Sequence, residues 1–370
     1  MKKVLFLIHD LGHGGAEKVL VNLANNLDRT RFDISVMSLF GGGINEQFLA
    51  PDIHYSTVFP KEFPGNSHIM KLLTPKQLHA LFIKEHYDIE VSYLEGPTAR
   101  VISGCQDPET KLVSWIHCTM HTPAELAIGF RSIKEARDCF DNMDMVVSVS
   151  RSVEKAFLDV CSYSGKTAVL YNTNDTDHIL FEKEKPIPDG LFHREEFKIC
   201  GVGKLMPGKC FERLIHIQKY LADEGYPVRT YILGEGPERE TLEDEIRQNG
   251  LDQQVILLGY QTNPYRFVSR CDLFVCSSLS EGFSTAATEA LIVGTPVCTT
   301  EVSGMREMLG EHDEWGVITE NSEQALYQGI RRLLEKPELL AYYKEKAKER
   351  GKSFSKESTV LAVGEMLLNL

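Results

Sequence analysis

Short apolar runs, each about the length of one strand, alternate with longer amphipathic stretches along almost the whole of this chain. Runs that are apolar at nearly every position, rather than every second one, suit strands buried on both faces. A parallel sheet with crossover helices buries strands in that way. In the first half the runs fall at residues 4–8, 32–37, 89–93, 112–116 and 145–149. A second series starts afresh at 197–202 and continues at 229–233, 255–258, 273–276 and 296–298. The expected fold class is α/β, with two doubly wound Rossmann-like domains, and 370 residues with 42% hydrophobic side chains can give each its own core.

Between the two series lies Tyr171-Asn-Thr-Asn-Asp-Thr-Asp-His178, followed by Glu182-Lys-Glu-Lys-Pro-Ile-Pro-Asp-Gly190, a polar stretch rich in turn residues. It suits an interdomain connection. The expected division is an N-terminal domain 1–175, a second domain 176–352 and a C-terminal helical segment 353–370. In that last segment Val360, Leu361, Val363, Met366 and Leu367 require a surface to pack on.

Charge narrows the function classes. The chain carries a formal net charge of -13, and residues 1–170 hold 17 Lys and Arg against 20 Asp and Glu, leaving 23 against 33 of the totals of 40 and 53. No basic stripe offsets that field, so general nucleic-acid binding is not expected. Nine scattered cysteines without a Cys-x-x-Cys pair point to reduced thiols in a cytoplasmic protein, most of them core filler, rather than to a disulfide frame or zinc site. The apolar run at 4–8 ends at His9-Asp10, too short for the core of a signal peptide, and no apolar stretch approaches the ~18 residues of a membrane-spanning helix. Any membrane contact is expected to be peripheral.

Candidate chemistry gathers after the apolar runs, where the strands of such sheets present their carboxyl ends. Glu281 and Glu289 stand in Ser280-Glu-Gly-Phe-Ser-Thr-Ala-Ala-Thr-Glu289, directly after the run 273–276. With a helix starting near Ser284, its hydroxyl capping the end, both carboxylates can face one crevice with the amides of Phe283, Ser284 and Thr285. Such carboxylates accept hydrogen bonds from sugar hydroxyls, while helix-start amides receive a phosphate. Lys204 and Lys209, in Gly201-Val-Gly-Lys-Leu-Met-Pro-Gly-Lys209, are placed to neutralise a diphosphate. Cys210 stands where a Walker loop needs Ser or Thr, so that motif is absent. The turn Leu11-Gly-His-Gly-Gly-Ala-Glu-Lys18 puts Gly14 and Gly15 before a helix starting near Ala16, without the dinucleotide spacing. His117 ends the run 112–116, and the pair His117 and His121 leaves a strand rather than lying on a helix, so no metal is expected there.

Together these parts resemble the retaining, nucleotide-sugar-dependent glycosyltransferases of the family 4 type, with the GT-B fold of two facing Rossmann-like domains. The resemblance spans nearly the whole chain. It rests on Gly14-Gly-Ala-Glu17, the segment from Val202 to Ile215, Leu233-Gly-Glu-Gly-Pro237, residues 255–259, Glu281-Gly-Phe283 through Glu289-Ala-Leu291, Gly294-Thr-Pro-Val297 and Gly304-Met-Arg-Glu307. It implies that Lys204 and Lys209 hold the donor diphosphate, Glu281 the hydroxyls of the transferred sugar and Glu289 the ribose. It further implies that Gly282, Phe283, Ser284 and Thr285 lie along the donor and Tyr260 near the base. His117 would sit near the donor sugar, Gly14 and Gly15 near the phosphates or acceptor, and the C-terminal helix would cross back onto the first domain. The implied partners are a nucleoside-diphosphate sugar, by expectation a UDP-sugar, and a saccharide or lipid-linked acceptor brought to it by hinge closure. No cofactor or metal is implied. Two positions depart from the family: Lys204 stands where Arg is common, losing a bidentate fork, and Asn172-Thr-Asn-Asp175 replaces the usual Asn-Gly-Val-Asp.

For the acceptor, residues 71–86 set Lys71, Lys76, His79 and Lys84 among Leu72, Leu73, Leu78, Leu81 and Phe82, a basic amphipathic stretch able to meet anionic lipid headgroups or to be an ordinary surface helix. The rival readings are a sugar-nucleotide epimerase and a non-catalytic nucleotide-sugar-binding subunit.

Overall fold

The computed structural model describes residues 1–192 and 195–370. The chain forms two compact units: Met1–Thr173 together with Glu357–Leu370, and Asn174–Lys356. The division falls two residues before the position expected from the sequence, and the returning tail starts at Glu357 rather than at residue 353.

Among the described residues the first unit holds a seven-stranded sheet, parallel throughout, in the order β3-β2-β1-β4-β5-β6-β7. The strands are β1 (Lys2–Ile8), β2 (Phe32–Phe40), β3 (His54–Phe59), β4 (Ile89–Ser92), β5 (Lys111–Ile116), β6 (Met145–Ser148) and β7 (Thr167–Val169). The second unit has a six-stranded parallel sheet in the order β10-β9-β8-β11-β12-β13. Its strands are β8 (Phe197–Val202), β9 (Val228–Leu233), β10 (Val255–Gly259), β11 (Leu273–Cys276), β12 (Val297–Thr300) and β13 (Val317–Thr319). Each sheet reverses its strand order once, between β1 and β4 and between β8 and β11. Loops leaving the carboxyl ends at such a reversal splay apart and form a crevice.

The three strands absent from the sequence reading, β3, β7 and β13, are all edge strands. In β3, His54, Ser56 and Thr57 are exposed, and β7 is only half-buried. An edge strand needs no continuous apolar run, so the cue that marks the central strands is missing there.

The helix Lys356–Leu368 packs on the first unit through buried Val363, Gly364 and Leu367. Lys2 Nζ donates to the carbonyls of Leu367 at 3.1 Å and Leu368 at 3.3 Å, capping the helix's negative end. Arg31 Nη1 pairs with Glu365 Oε1 at 2.8 Å. A Cβ on Gly364 would touch the Phe32 ring at 3.7 Å. The connecting segment is ordered: Asn172, Thr173 and Asn174 are buried, Asp175 caps the helix Thr176–Glu182, and Lys356 Nζ bridges Asp175 at 3.2 Å and Asp177 at 2.7 Å. No disulfide joins the cysteines among the described residues, and eight of the nine are buried. No helix among the described residues is long and apolar enough to cross a membrane.

Candidate active site

In the second unit the reversal between β8 and β11 brings together two loops that the sequence holds about 70 residues apart. Lys209 lies in the 3-10 turn Pro207–Lys209, and its Nζ contacts Glu281 Oε1 at 2.7 Å. Ser278 Oγ donates to the same oxygen at 2.6 Å. The loops are also stitched through the backbone, with Leu279 N donating to Gly208 O at 2.9 Å and Ser277 Oγ to Lys209 O at 2.8 Å. The lysine–glutamate pair is therefore fixed from both sides. An ammonium carries three N–H donors, so pairing with Glu281 is compatible with binding a phosphate oxygen as well.

Lys204, one turn earlier, is exposed, and among the described residues its side chain makes neither hydrogen bond nor ion pair. Two glycines behind it explain the path of its loop. A Cβ on Gly234, whose φ is +150°, would lie 1.8 Å from Gly203 O, and one on Gly236 would lie 2.2 Å from Leu205 O. Only glycine lets the Leu233-Gly-Glu-Gly turn press so closely against residues 203–205.

Ser284 caps the helix Thr285–Val293 as expected, its Oγ accepting from Ala287 N at 3.3 Å. Gly282, Phe283 and Ser284 are buried and Thr285 half-buried. The turn at Gly304, with φ +79°, packs against them: a Cβ there would meet Gly282 O at 2.7 Å. Glu289, only 6% exposed, receives a hydrogen bond from Tyr265 Oη at 3.3 Å. Tyr260 follows Gly259 at the end of β10 and is half-buried. The predicted residues of this half lie on loops or helix starts that follow carboxyl strand ends, save Glu289, which stands in the middle of the helix Thr285–Val293.

In the first unit the reversal lies between β1 and β4. Gly14 precedes the helix Gly15–Asn26, and a Cβ on it would fall 2.0 to 2.5 Å from the Glu17 carboxylate, the far end of a flexible side chain. The loop is braced from behind: Asn45 N donates to Leu11 O at 2.8 Å, and Asn45 Nδ2 donates to Gly12 O. His117 follows β5, buried, with its ring 4.9 Å from that of Tyr93 and its Nε2 without a hydrogen-bond partner among the described residues. Burial pulls its pKa down to about 3, so the imidazole is neutral at physiological pH.

Two carboxylates here escaped the sequence reading. Glu95, after β4, accepts the His117 backbone N–H at 2.9 Å through Oε2. Asp10 accepts from Gly12 N at 2.7 Å and pairs with His9 Nδ1 at 2.7 Å, a bond that raises the pKa of His9. Both carboxylates stand within three residues of a central strand's end. That position was the available signal, though no motif flagged it.

The family model for Glycosyltransferase Family 4 matches residues 13–178, and that for Glycosyl transferases group 1 matches residues 182–350. The first spans β2 to β7 of the first sheet, and the second spans all six strands of the second sheet. The chain belongs to the glycosyltransferases of the GT-B type that join these two domains, and it is an enzyme of glycosyl transfer. Among its relatives is the N-acetylgalactosamine-N,N'-diacetylbacillosaminyl-diphospho-undecaprenol 4-alpha-N-acetylgalactosaminyltransferase of Campylobacter jejuni, 29% identical over 367 residues, which are 96% of each chain. A capsular polysaccharide biosynthesis glycosyltransferase, CapM of Staphylococcus aureus, is 26% identical over 51% of this chain and 52% of its own. The crystal structure of Anabaena Alr3699/HepE in complex with UDP superposes with a TM-score of 0.79 at 20% identity, covering 100% of both chains.

Proposed function

We propose that this enzyme transfers a hexose-type sugar from a UDP-sugar to a lipid-linked saccharide, with retention of anomeric configuration, in bacterial surface polysaccharide synthesis. The observation that carries the donor half is the Lys209–Glu281 contact at 2.7 Å beside the capped helix start at Ser284. A cation, a sugar-binding carboxylate and the positive end of a helix dipole then converge at one carboxyl sheet edge.

As the glycosidic bond opens, charge builds on the departing diphosphate. Lys209, Lys204 and the amides at 283–285 stabilise that charge without a metal. Glu281 holds the hydroxyls of the transferred sugar, and Glu289, kept in place by Tyr265, holds the ribose. From the first unit, His117 serves as a neutral group, held through its main chain by Glu95. Retention follows from same-face attack, with the leaving phosphate helping to take the acceptor's proton. The lipid-linked acceptor is supported by the Campylobacter relative, whose name specifies an undecaprenol diphosphate saccharide. The UDP donor is supported by the fold relative with UDP bound.

Such an acceptor places the enzyme at the cytoplasmic membrane face, in peripheral contact. The helices Asn66–Leu72 and Pro75–Phe82 supply a surface for it, with Ile69, Leu72 and Leu81 exposed, Leu72 to 78%, beside Lys71 and Lys76.

The test is incubation of the purified enzyme with UDP-, GDP- and ADP-sugars, with and without an undecaprenyl-diphosphate saccharide. UDP release that depends on acceptor, with an axial product linkage from an axial donor by NMR, is expected. Interconversion of the nucleotide sugar without acceptor would instead make it an epimerase, and no turnover with any donor would make it a binding subunit.

A further inference from the structure

On the central strand β4, Ile89-Glu-Val-Ser92, all four residues are buried, and Glu90 is only 2% exposed. Its partners in register are Leu5 on β1 and Leu112 on β5. A carboxylate buried between leucines is costly unless something compensates its charge. Two side chains from other elements converge on it. His79, on the helix Pro75–Phe82, brings Nε2 to 2.8 and 3.1 Å from the two carboxylate oxygens. Cys105, in the turn after the helix Pro97–Ile102, completes a trio whose candidate ligand atoms all lie within 4.8 Å of one another. The convergence is built into the backbone: a Cβ on Gly104 would lie 2.0 Å from Pro75 O, so glycine alone lets this turn press against the start of the His79 helix.

We infer that His79, Glu90 and Cys105 form a structural binding site for a divalent zinc-type cation, which ties the helix Pro75–Phe82 and the Gly104 turn to the middle of the sheet. An imidazole, a carboxylate and a thiolate are the donor set of borderline metals. A carboxylate and a thiolate together balance a divalent charge, leaving a neutral buried site. Tetrahedral bonds of about 2.0 to 2.3 Å set ligand atoms about 3.3 to 3.8 Å apart, so side-chain movements on the order of 1 Å suffice. His79 is partly open to solvent, which gives the ion a path in and leaves its fourth position to water. Binding displaces the thiol proton to solvent. The hydrogen bond between His79 and Glu90 accounts for two of the three groups, and Thr110 and the Asp107 backbone neighbour the thiol; the convergence of all three donor types on one spot is what points to a metal. Glu90 lies in the amino-terminal half of its strand, away from the loops at the carboxyl ends, so the ion has a structural role and takes no part in transfer.

The full-length protein, stripped with chelator and dialysed, is titrated with cobalt chloride and, separately, zinc chloride. One equivalent of cobalt is expected to bind with a thiolate-to-cobalt charge-transfer band and tetrahedral d–d bands, and zinc should displace it and raise the melting temperature. Cys105→Ser and His79→Gln, both close in shape to the originals and checked for fold by circular dichroism, are expected to lose the charge-transfer band or weaken affinity by more than about 100-fold, since even outer-shell losses cost 10- to 100-fold. Absence of cobalt binding to the native protein overturns the site and leaves a buried histidine–carboxylate pair. Binding that survives both substitutions unchanged overturns it too, by placing the ion elsewhere.

Discussion

Lys209 and Glu281 neutralise each other, yet both are expected to act on the donor, and the two functions separate by mutation. Lys209→Ala removes a fixed cation from the leaving diphosphate. Turnover is expected to fall by about 10²- to 10³-fold, the usual cost of one such electrostatic donor. Glu281→Gln keeps the shape and the Ser278 contact, so a comparable loss in steady-state kinetics with an unchanged melting curve would assign the loss to charge. His117 invites a test by pH. Its folded pKa, depressed from 6.5 to about 3 by burial, means that between those values the unfolded chain binds a proton that the native one refuses. This residue's contribution to stability is therefore present above pH 6.5 and lost as pH falls towards 3. Urea midpoints at pH 7 and pH 5 should differ less for His117→Gln than for the native enzyme, and no limb of the pH–rate profile between 5 and 8 should belong to this histidine.

The helices carry two further expectations. Leu367 is wholly buried on the returning C-terminal helix. Leu367→Ala should destabilise the first unit by about 2 to 5 kcal/mol, as large-to-small core changes do, with the second unit's sheet unaffected in hydrogen exchange. The helix Asn66–Leu72 is held at its end by two arginines. Arg100 donates to Met70 O at 2.8 Å and Leu73 O at 2.5 Å, and Arg131 donates to Lys71 O at 2.5 Å and Leu72 O at 2.8 Å. Arg100 is itself buried against Glu135, at 3.0 and 3.1 Å. A surface helix clamped so firmly, with Leu72 outward, suits docking to lipid. Sedimentation with anionic vesicles should capture the native protein but not Lys71→Glu/Lys76→Glu. If neither protein sediments, the docking reading fails while the donor reading stands.

For the protein as a whole, ligand linkage offers the broadest check. A nucleotide that binds only the native state at 100 times its dissociation constant adds about 2.7 kcal/mol of stability. UDP should therefore raise the melting temperature well above the effect of GDP or ADP at equal concentration, and Lys209→Ala should abolish the difference. The first unit is assembled from both ends of the chain, so truncation at residue 356 should damage this unit selectively. The helix Lys356–Leu368 showed its need for a partner in its apolar residues. The partner itself, Phe32 and its neighbours, could be found only in three dimensions.

Sequence alone determined the α/β class, the two sheets and the positions of Gly14, His117, Lys209, Glu281 and Glu289, because central parallel strands must be apolar on both faces and ligand loops follow their carboxyl ends. It was silent on three of the four edge strands, β3, β7 and β13, whose solvated faces relax that pattern. Tertiary structure decided the partners: Ser278 and Lys209 on Glu281, Tyr265 on Glu289, Glu95 behind His117, and Cys105 beside Glu90. These contacts join residues from separate turns of a wound sheet, and strand order, which no local pattern encodes, is what brings them within hydrogen-bond reach.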